Sequence, residues 1–172
     1  VMEYKTTEED CISLIGMPAV GKSTVGIVLA KMAGLDFLDT DLLIQKKEGR
    51  TLQKIVNQDG YLHLRKIEED IIVSLKAKSC VVSTGGSAIY SKRSMANLAL
   101  LGSRIYLKSD IKTLEKRISA LPARGIASDP QQKFQQIYTE RTPLYEEHSD
   151  YIVDVTKRNP EAIAIKIISL LS

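Results

Sequence analysis

Short apolar runs alternate along this chain with longer stretches in which apolar residues recur every three or four positions. The short runs, rich in β-branched residues, predict strands at 11–16 (CISLIG), 35–39 (LDFLD), 80–85 (CVVSTG), 103–108 (SRIYLK) and 150–155 (DYIVDV). The helical spacing predicts helices over 22–33, 41–48, 51–57, 60–77, 91–100, 110–119, 131–147 and 160–171. Asp110 and Asn159 stand where helix N-caps belong, the latter with Pro160 in the first helical position. Strands this apolar are expected to be buried on both faces, which suits a parallel sheet covered by helices. The alternation therefore predicts an α/β fold with βαβ connections, five strands and one core, as a single domain over 1–172. Two regions break the alternation. Residues 41–78 hold too much helix for one crossover and read as an inserted substrate-binding unit. Residues 120–130 (ALPARGIASDP) are small and poorly periodic and read as a mobile lid.

Composition narrows the classes. The chain has 172 residues, 44% hydrophobic and 26% charged, with a formal net charge of +3. That balance of 24 basic and 21 acidic residues gives no electrostatic case for a nucleic-acid partner. No run approaches the ~18 apolar residues of a membrane span. The polar start, VMEYKTTEED, lacks the apolar stretch of a signal peptide, so a cytoplasmic protein is expected. Cys11 and Cys80 each open an apolar run and read as reduced, buried strand cysteines. His63 and His148 have no partner at metal-ligand spacing.

The chemistry begins at IGMPAVGKST, 15–24. Gly16-Met17-Pro18-Ala19-Val20-Gly21-Lys22-Ser23 matches G-x-x-x-x-G-K-[ST], between a predicted strand and a predicted helix. Backbone N–H groups of such a loop, from Gly16 through Ala19, Val20 and Gly21 to Thr24, cradle phosphate oxygens, and the helix adds its positive end. Lys22 would neutralise the β- and γ-phosphates, and Ser23 would ligate Mg²⁺. A nucleoside triphosphate is thus expected. A switch GTPase is not: Leu107-Lys108-Ser109-Asp110 lacks the asparagine of N-K-x-D, and no D-x-x-G occurs. A motor-type ATPase would end its third strand in an acid, whereas this one ends in Ser83-Thr84-Gly85-Gly86, which lets another molecule approach the backbone.

Acids and arginines suggest the acceptor. Asp39 and Asp41 (FLDTD) sit at the end of the second strand, and residues two apart on a strand share a face. A Mg²⁺ ion and a substrate hydroxyl would satisfy both carboxylates. Arg65 and Glu68 are three apart in a predicted helix, so the acid can orient the guanidinium. With Arg124 in the lid and Arg141 in ERTPLY, these arginines suit a carboxylate or a transferring phosphoryl group.

Taken together, DTD, GYLHLRKIE, STGGS, the lid arginine, RTPLY and KRNP resemble the shikimate kinases, in the nucleoside-monophosphate-kinase-like group of P-loop folds. The resemblance spans the chain from Cys11 to Leu171 and implies a three-layer P-loop fold and a monomer. It implies an ATP- and Mg²⁺-dependent kinase acting on the 3-hydroxyl of shikimate, in aromatic amino acid (chorismate) biosynthesis. It casts Asp39 as the residue holding the metal through water and Asp41 as the hydroxyl ligand and candidate general base. Arg65 and Arg141 would grip the carboxylate. Gly85 and Gly86 would bring backbone N–H groups to the substrate. Arg124 would close over the phosphates, and Arg117 and Arg158 would flank the adenine. Lys22, Asp41 and Arg124 form the implied catalytic set.

Two positions depart from the family pattern. Ser87 stands where a third glycine is usual, which would be strained at positive φ, and Gly125 follows the lid arginine in place of proline, which would loosen a slightly short lid. Both bear on the choice of acceptor. A kinase of the same fold for another small hydroxylated acid such as gluconate, and a nucleotide-binding regulatory module without turnover, are the alternative readings.

Overall fold

A computed structural model describes residues 10–122 and 125–172. Five strands, β1 (Cys11–Ile15), β2 (Asp36–Asp39), β3 (Cys80–Ser83), β4 (Gly102–Lys108) and β5 (Tyr151–Asp154), form one sheet in the order β2-β3-β1-β4-β5. Every pairing is parallel. The most apolar strands take the middle. Each residue of β1 and β3 is buried, so both faces of the sheet are covered, whereas the edge strands β2 and β5 alternate or stay half-exposed.

Eight α-helices are seen among the described residues: α1 (Lys22–Ala33), α2 (Thr40–Glu48), α3 (Leu52–Asp59), α4 (Tyr61–Ser74), α5 (Lys92–Leu101), α6 (Ile111–Ser119), α7 (Phe134–His148) and α8 (Pro160–Leu171). Asp110 and Asn159 are the expected N-caps, accepting from the backbone N–H of Thr113 and Ala162. Two helices are shorter than their sequence pattern suggests. α4 stops at Ser74 because Leu75 turns to extended backbone, and α7 starts at Phe134, where Gln136 Oε1 accepts from the backbone N–H of Lys133 at 2.8 Å. Cys11 and Cys80 are buried free thiols on the neighbouring strands β1 and β3.

The connection from β1 through α1 to β2 leads to one side of β1, and the connection from β3 through α5 to β4 leads to the other. The chain direction thus divides at the carboxyl ends of β1 and β3, where a crevice opens in an open α/β sheet. The main apolar core surrounds the sheet. A second, smaller cluster joins Ile44, Ile55, Leu64, Ile67, Ile71 and Ala127, tying α2, α3 and α4 to the segment after residue 124. Among the described residues no helix is long and apolar enough to cross a membrane.

Candidate active site

The phosphate loop lies between β1 and α1, and its conformation explains its glycines. Gly21 (φ 105°) is the N-cap of α1 and carries no capping side chain, so the first N–H groups of α1 meet no protein cap. A Cβ on Gly16 (φ 148°) would stand 2.7 Å from the Leu107 carbonyl oxygen, so only glycine lets the loop lie against β4. Ala19 is also left-handed, at φ 64°. The Lys22 ammonium turns back across the loop and donates to the carbonyls of Gly16 (2.8 Å) and Met17 (2.9 Å). Burial lowers its pKa to about 8, against the opposing pull of Asp41 and Glu68.

Asp39 ends β2 beside this loop. Its Oδ2 accepts from Ser23 Oγ at 2.6 Å, and its Oδ1 caps α2 by accepting from the backbone N–H of Asp41 (2.9 Å) and Leu42 (3.3 Å). The expectation that Asp39 and Asp41 share one face of a strand is therefore corrected. Asp41 belongs to the first turn of α2, and the two acids reach one cavity because Asp39 caps the helix that carries Asp41. Ser23 Oγ and the Asp39 carboxylate are hard oxygen donors in contact, a set that fits Mg²⁺ held partly by phosphate and water.

The turn after β3 is pinned from three sides. Thr84 Oγ1 donates to the Leu14 carbonyl at 2.9 Å, Thr40 Oγ1 accepts from Gly85 N–H at 3.0 Å, and the Tyr145 hydroxyl donates to the Gly86 carbonyl at 2.6 Å. The Gly85 N–H, expected as a donor to substrate, is here engaged by Thr40. Its glycine serves close approach: a Cβ there would collide with Glu68 Oε1 and lie 2.9 Å from Asp41 Oδ1. At Gly86 a Cβ would lie 3.0 Å from Arg141 Nη1. Ser87 follows at φ −90°, so the strain expected of a serine at positive φ does not arise.

These groups line a cavity of about 700 Å³. The phosphate-loop and α1 residues Lys22, Ser23 and Thr24 line it together with Asp39, Asp41, Glu68, Gly85, Gly86 and Arg141. Arg141 is fully buried (0% exposed). It donates from Nη2 to the Ala127 carbonyl (2.9 Å) and from Nε to the Tyr90 hydroxyl (3.2 Å). Its Nη1 has no hydrogen-bond partner among the described residues. A buried guanidinium with an unpartnered nitrogen facing a cavity is a ready receptor for a carboxylate.

Arg65 comes to the same spot from outside the cavity. Its Nε donates to the same Ala127 carbonyl at 3.0 Å, and its guanidinium lies 3.9 Å from the centre of the Tyr90 ring, with Arg141 5.1 Å from that centre. Arg65 lines a shallower adjoining pocket with Asp129, Gln136 and Glu140. Two guanidiniums that reach one oxygen are spaced to share an anionic group.

Glu68 does not orient Arg65 as its spacing suggests. It sits on the buried face of α4 with Leu64, Ile67, Ile71 and Ile72, is 2% exposed, and accepts from Ser87 Oγ through Oε2. The signal was present in the sequence: an acid in the middle of an apolar stripe. Tyr90, which joins the two arginines, left no such signal.

Burial, followed by the nearby Asp41 carboxylate, raises the Glu68 pKa from 4.5 to about 7. Between those values the folded protein holds a proton that the unfolded chain has lost. The stabilisation is therefore complete below about pH 4.5 and disappears as pH rises through 7, a change of roughly 3 kcal/mol. A Glu68→Gln variant lacks this dependence. Denaturant unfolding at pH 5 and pH 8 is expected to show its stability gaining on the parent protein at the higher pH; equal changes in the two proteins would refute the assignment.

The other expected positions are more peripheral. Arg117 Nη1 on α6 donates to the Val20 carbonyl at 3.1 Å, flanking the phosphate loop. Arg158 lies in the turn before α8, away from the cavity lining. Arg124 lies outside the described residues. Gly125 lies against the start of α3, where a Cβ would be 2.5 Å from the Leu52 carbonyl oxygen and 2.7 Å from Gln53 N. Here glycine seats the segment against α3, rather than loosening it as the sequence suggested.

Comparison with known proteins agrees with this geometry. The family model for shikimate kinase matches residues 18–172. A shikimate kinase of Histophilus somni (strain 2336) is 35% identical over 168 residues, covering 95% of this chain and 96% of that protein. The solved shikimate kinase of Acinetobacter baumannii in complex with shikimate superimposes with a TM-score of 0.79 at 29% identity, covering 94% of this chain and 92% of that one. A gluconokinase from Sinorhizobium meliloti 1021 reaches a TM-score of only 0.51 at 17% identity, a likeness of fold alone. The phosphate loop, the acids and arginines beyond it and these relatives agree: the chain belongs to the shikimate kinase family of ATP-dependent small-molecule kinases.

Proposed function

We propose that this chain transfers the γ-phosphoryl group of ATP to the 3-hydroxyl of shikimate at the cavity between the phosphate loop and Gly85–Gly86. The observation that carries the reading is that two unlike sets of groups line one cavity: Lys22 and Ser23 for phosphates, Asp41 and Arg141 for a hydroxylated carboxylic acid. The backbone of 16–24 and Lys22 hold the β- and γ-phosphates. Ser23, and Asp39 through water, hold Mg²⁺, which supplies charge neutralisation on the phosphates when bound. Arg141 and Arg65 take the carboxylate, in the place where Ala127 now offers its carbonyl to both.

Asp41 then hydrogen-bonds the acceptor hydroxyl and receives its proton. The hydroxyl oxygen bonds to the γ-phosphorus as the bond to the β-phosphate oxygen breaks, and ADP leaves. Positioning and charge neutralisation are the main contributions. Residues 41–78 serve as the substrate-binding unit, supported by their separate apolar cluster, and 120–130 as a lid whose Arg124 closes on the phosphates and excludes competing water. Arg117 and Arg158 flank the adenine. The protein works as a cytoplasmic monomer.

ADP release with Mg²⁺-ATP tests this directly. Shikimate is expected to stimulate it strongly, and gluconate and other small hydroxy acids hardly at all. Stimulation by another acid but not by shikimate would keep the phosphate-loop chemistry and overturn the acceptor. Nucleotide binding without acceptor-dependent ADP would favour a regulatory module.

A further inference from the structure

We propose that Ser87 is a positioning residue for the acceptor, holding the Glu68 carboxylate so that its second oxygen faces the substrate beside Asp41. The proposal rests on the acceptor site described above. Ser87 is 6% exposed and lies at the cavity wall in unstrained backbone, at the start of a short 3-10 turn over Ala88–Tyr90. Its hydroxyl donates to Glu68 Oε2. Glu68 Oε1 is buried and has no hydrogen-bond partner among the described residues. It projects over the Cα of Gly85, where a Cβ would strike it, and Asp41 Oδ1 projects over the same point. Two carboxylates from different helices, α4 and α2, therefore converge on one small patch of cavity wall.

Once ionised, above about pH 7, the Glu68 carboxylate beside another carboxylate in a buried place needs a donor on each oxygen to stay in one orientation. Ser87 supplies one. The acceptor supplies the other, because a polyhydroxy acid with one hydroxyl on Asp41 carries a further hydroxyl a bond or two away. The charged groups facing Glu68 are Asp41 from α2, Lys22 from α1 and Arg141 from α7. Lys22 and Arg141 lie in reach electrostatically, yet Ser87 is the group that makes the hydrogen bond. Without it the carboxylate is free to turn toward those cations and away from the acceptor. Glycine at 87 would leave this orientation unset, so the serine bears on which hydroxylated ring is accepted.

The test is a double-mutant cycle with steady-state kinetics on the full chain. Ser87→Ala is expected to raise KM for shikimate about tenfold, the scale of a lost hydrogen bond to a charged group, with KM for ATP unchanged. In a Glu68→Gln background the same substitution is expected to change KM for shikimate less than about twofold, because Ser87 acts through that carboxylate. Ser87→Thr, which keeps the hydroxyl, is expected to restore most of the affinity. Ser87→Gly, the smallest change that removes the hydroxyl, repeats the test should the alanine variant fold poorly. An unchanged KM in the alanine or glycine variant, or full additivity with Glu68→Gln, would overturn the proposal. The acceptor site itself is checked separately by Asp41→Asn, whose failure to reduce turnover would instead overturn the site assignment.

Discussion

Replacing Lys22 with methionine is expected to lower turnover about 10³-fold, the scale of removing one preorganised group that meets developing charge. The fold is expected to survive. Lys22 is buried, its ammonium donates to two backbone carbonyls, and burial already works against its charge. Methionine fills a similar volume without that desolvation cost, and the loss of two hydrogen bonds offsets part of the gain. Turnover by ADP release, together with thermal unfolding by circular dichroism, checks both halves. A variant that keeps a tenth or more of the parent's turnover would move phosphate neutralisation to other groups. Lys22→Arg is not expected to rescue activity, because a planar fork cannot fold back onto the Gly16 and Met17 carbonyls as a compact ammonium does.

Arg141→Met is expected to raise KM for shikimate by about 10²–10³-fold while KM for ATP stays within twofold. Burial sets the size of the effect. A fully buried guanidinium whose Nη1 lacks a partner is costly in the empty protein and strongly rewarded when a carboxylate arrives. Lysine is a poor substitute, since it cannot serve the Ala127 carbonyl, the Tyr90 hydroxyl and a ligand from one planar group. The half-buried Arg65 should show a smaller rise in the same constant, because solvent already screens part of its charge. Equal effects of Arg65→Met and Arg141→Met would mean that both lie equally deep when substrate is bound. No effect of Arg141→Met would sink the carboxylate assignment.

The two substitutions act on two sets of groups lining one cavity, and those sets differed in how plainly the sequence announced them. The phosphate set is local. A strand, a glycine loop and a helix follow one another without interruption between Cys11 and Ala33, so Gly16, Gly21, Lys22 and Ser23 carry their geometry with them. The groups proposed for the acceptor come from α2, α4, the turn after β3, and α7. The arginines among them were recognisable through the family pattern, but their partners were not. Arg65 and Glu68, three apart on α4, looked like a pair; the fold turns one toward Tyr90 and Ala127 and the other toward Ser87. Asp39 and Asp41 looked like strand neighbours, and the chain instead breaks into a helix between them.

The chain's hydrophobic pattern by itself determined the α/β class, the five parallel strands and most helix positions, and its glycine–lysine motif determined the phosphate loop. These depend on periodicity and on residues adjacent in sequence, both of which a linear string records. Tertiary structure alone decided that Glu68 lines the cavity, that Ser87 hydrogen-bonds it, that Thr40 engages the Gly85 N–H, and that Gly125 seats against α3. Each of these is a contact between groups many residues apart, set by which helix faces the crevice and how closely two backbones meet. A spacing rule states which side chains could meet along one element. The packing of elements against one another decides which of them do.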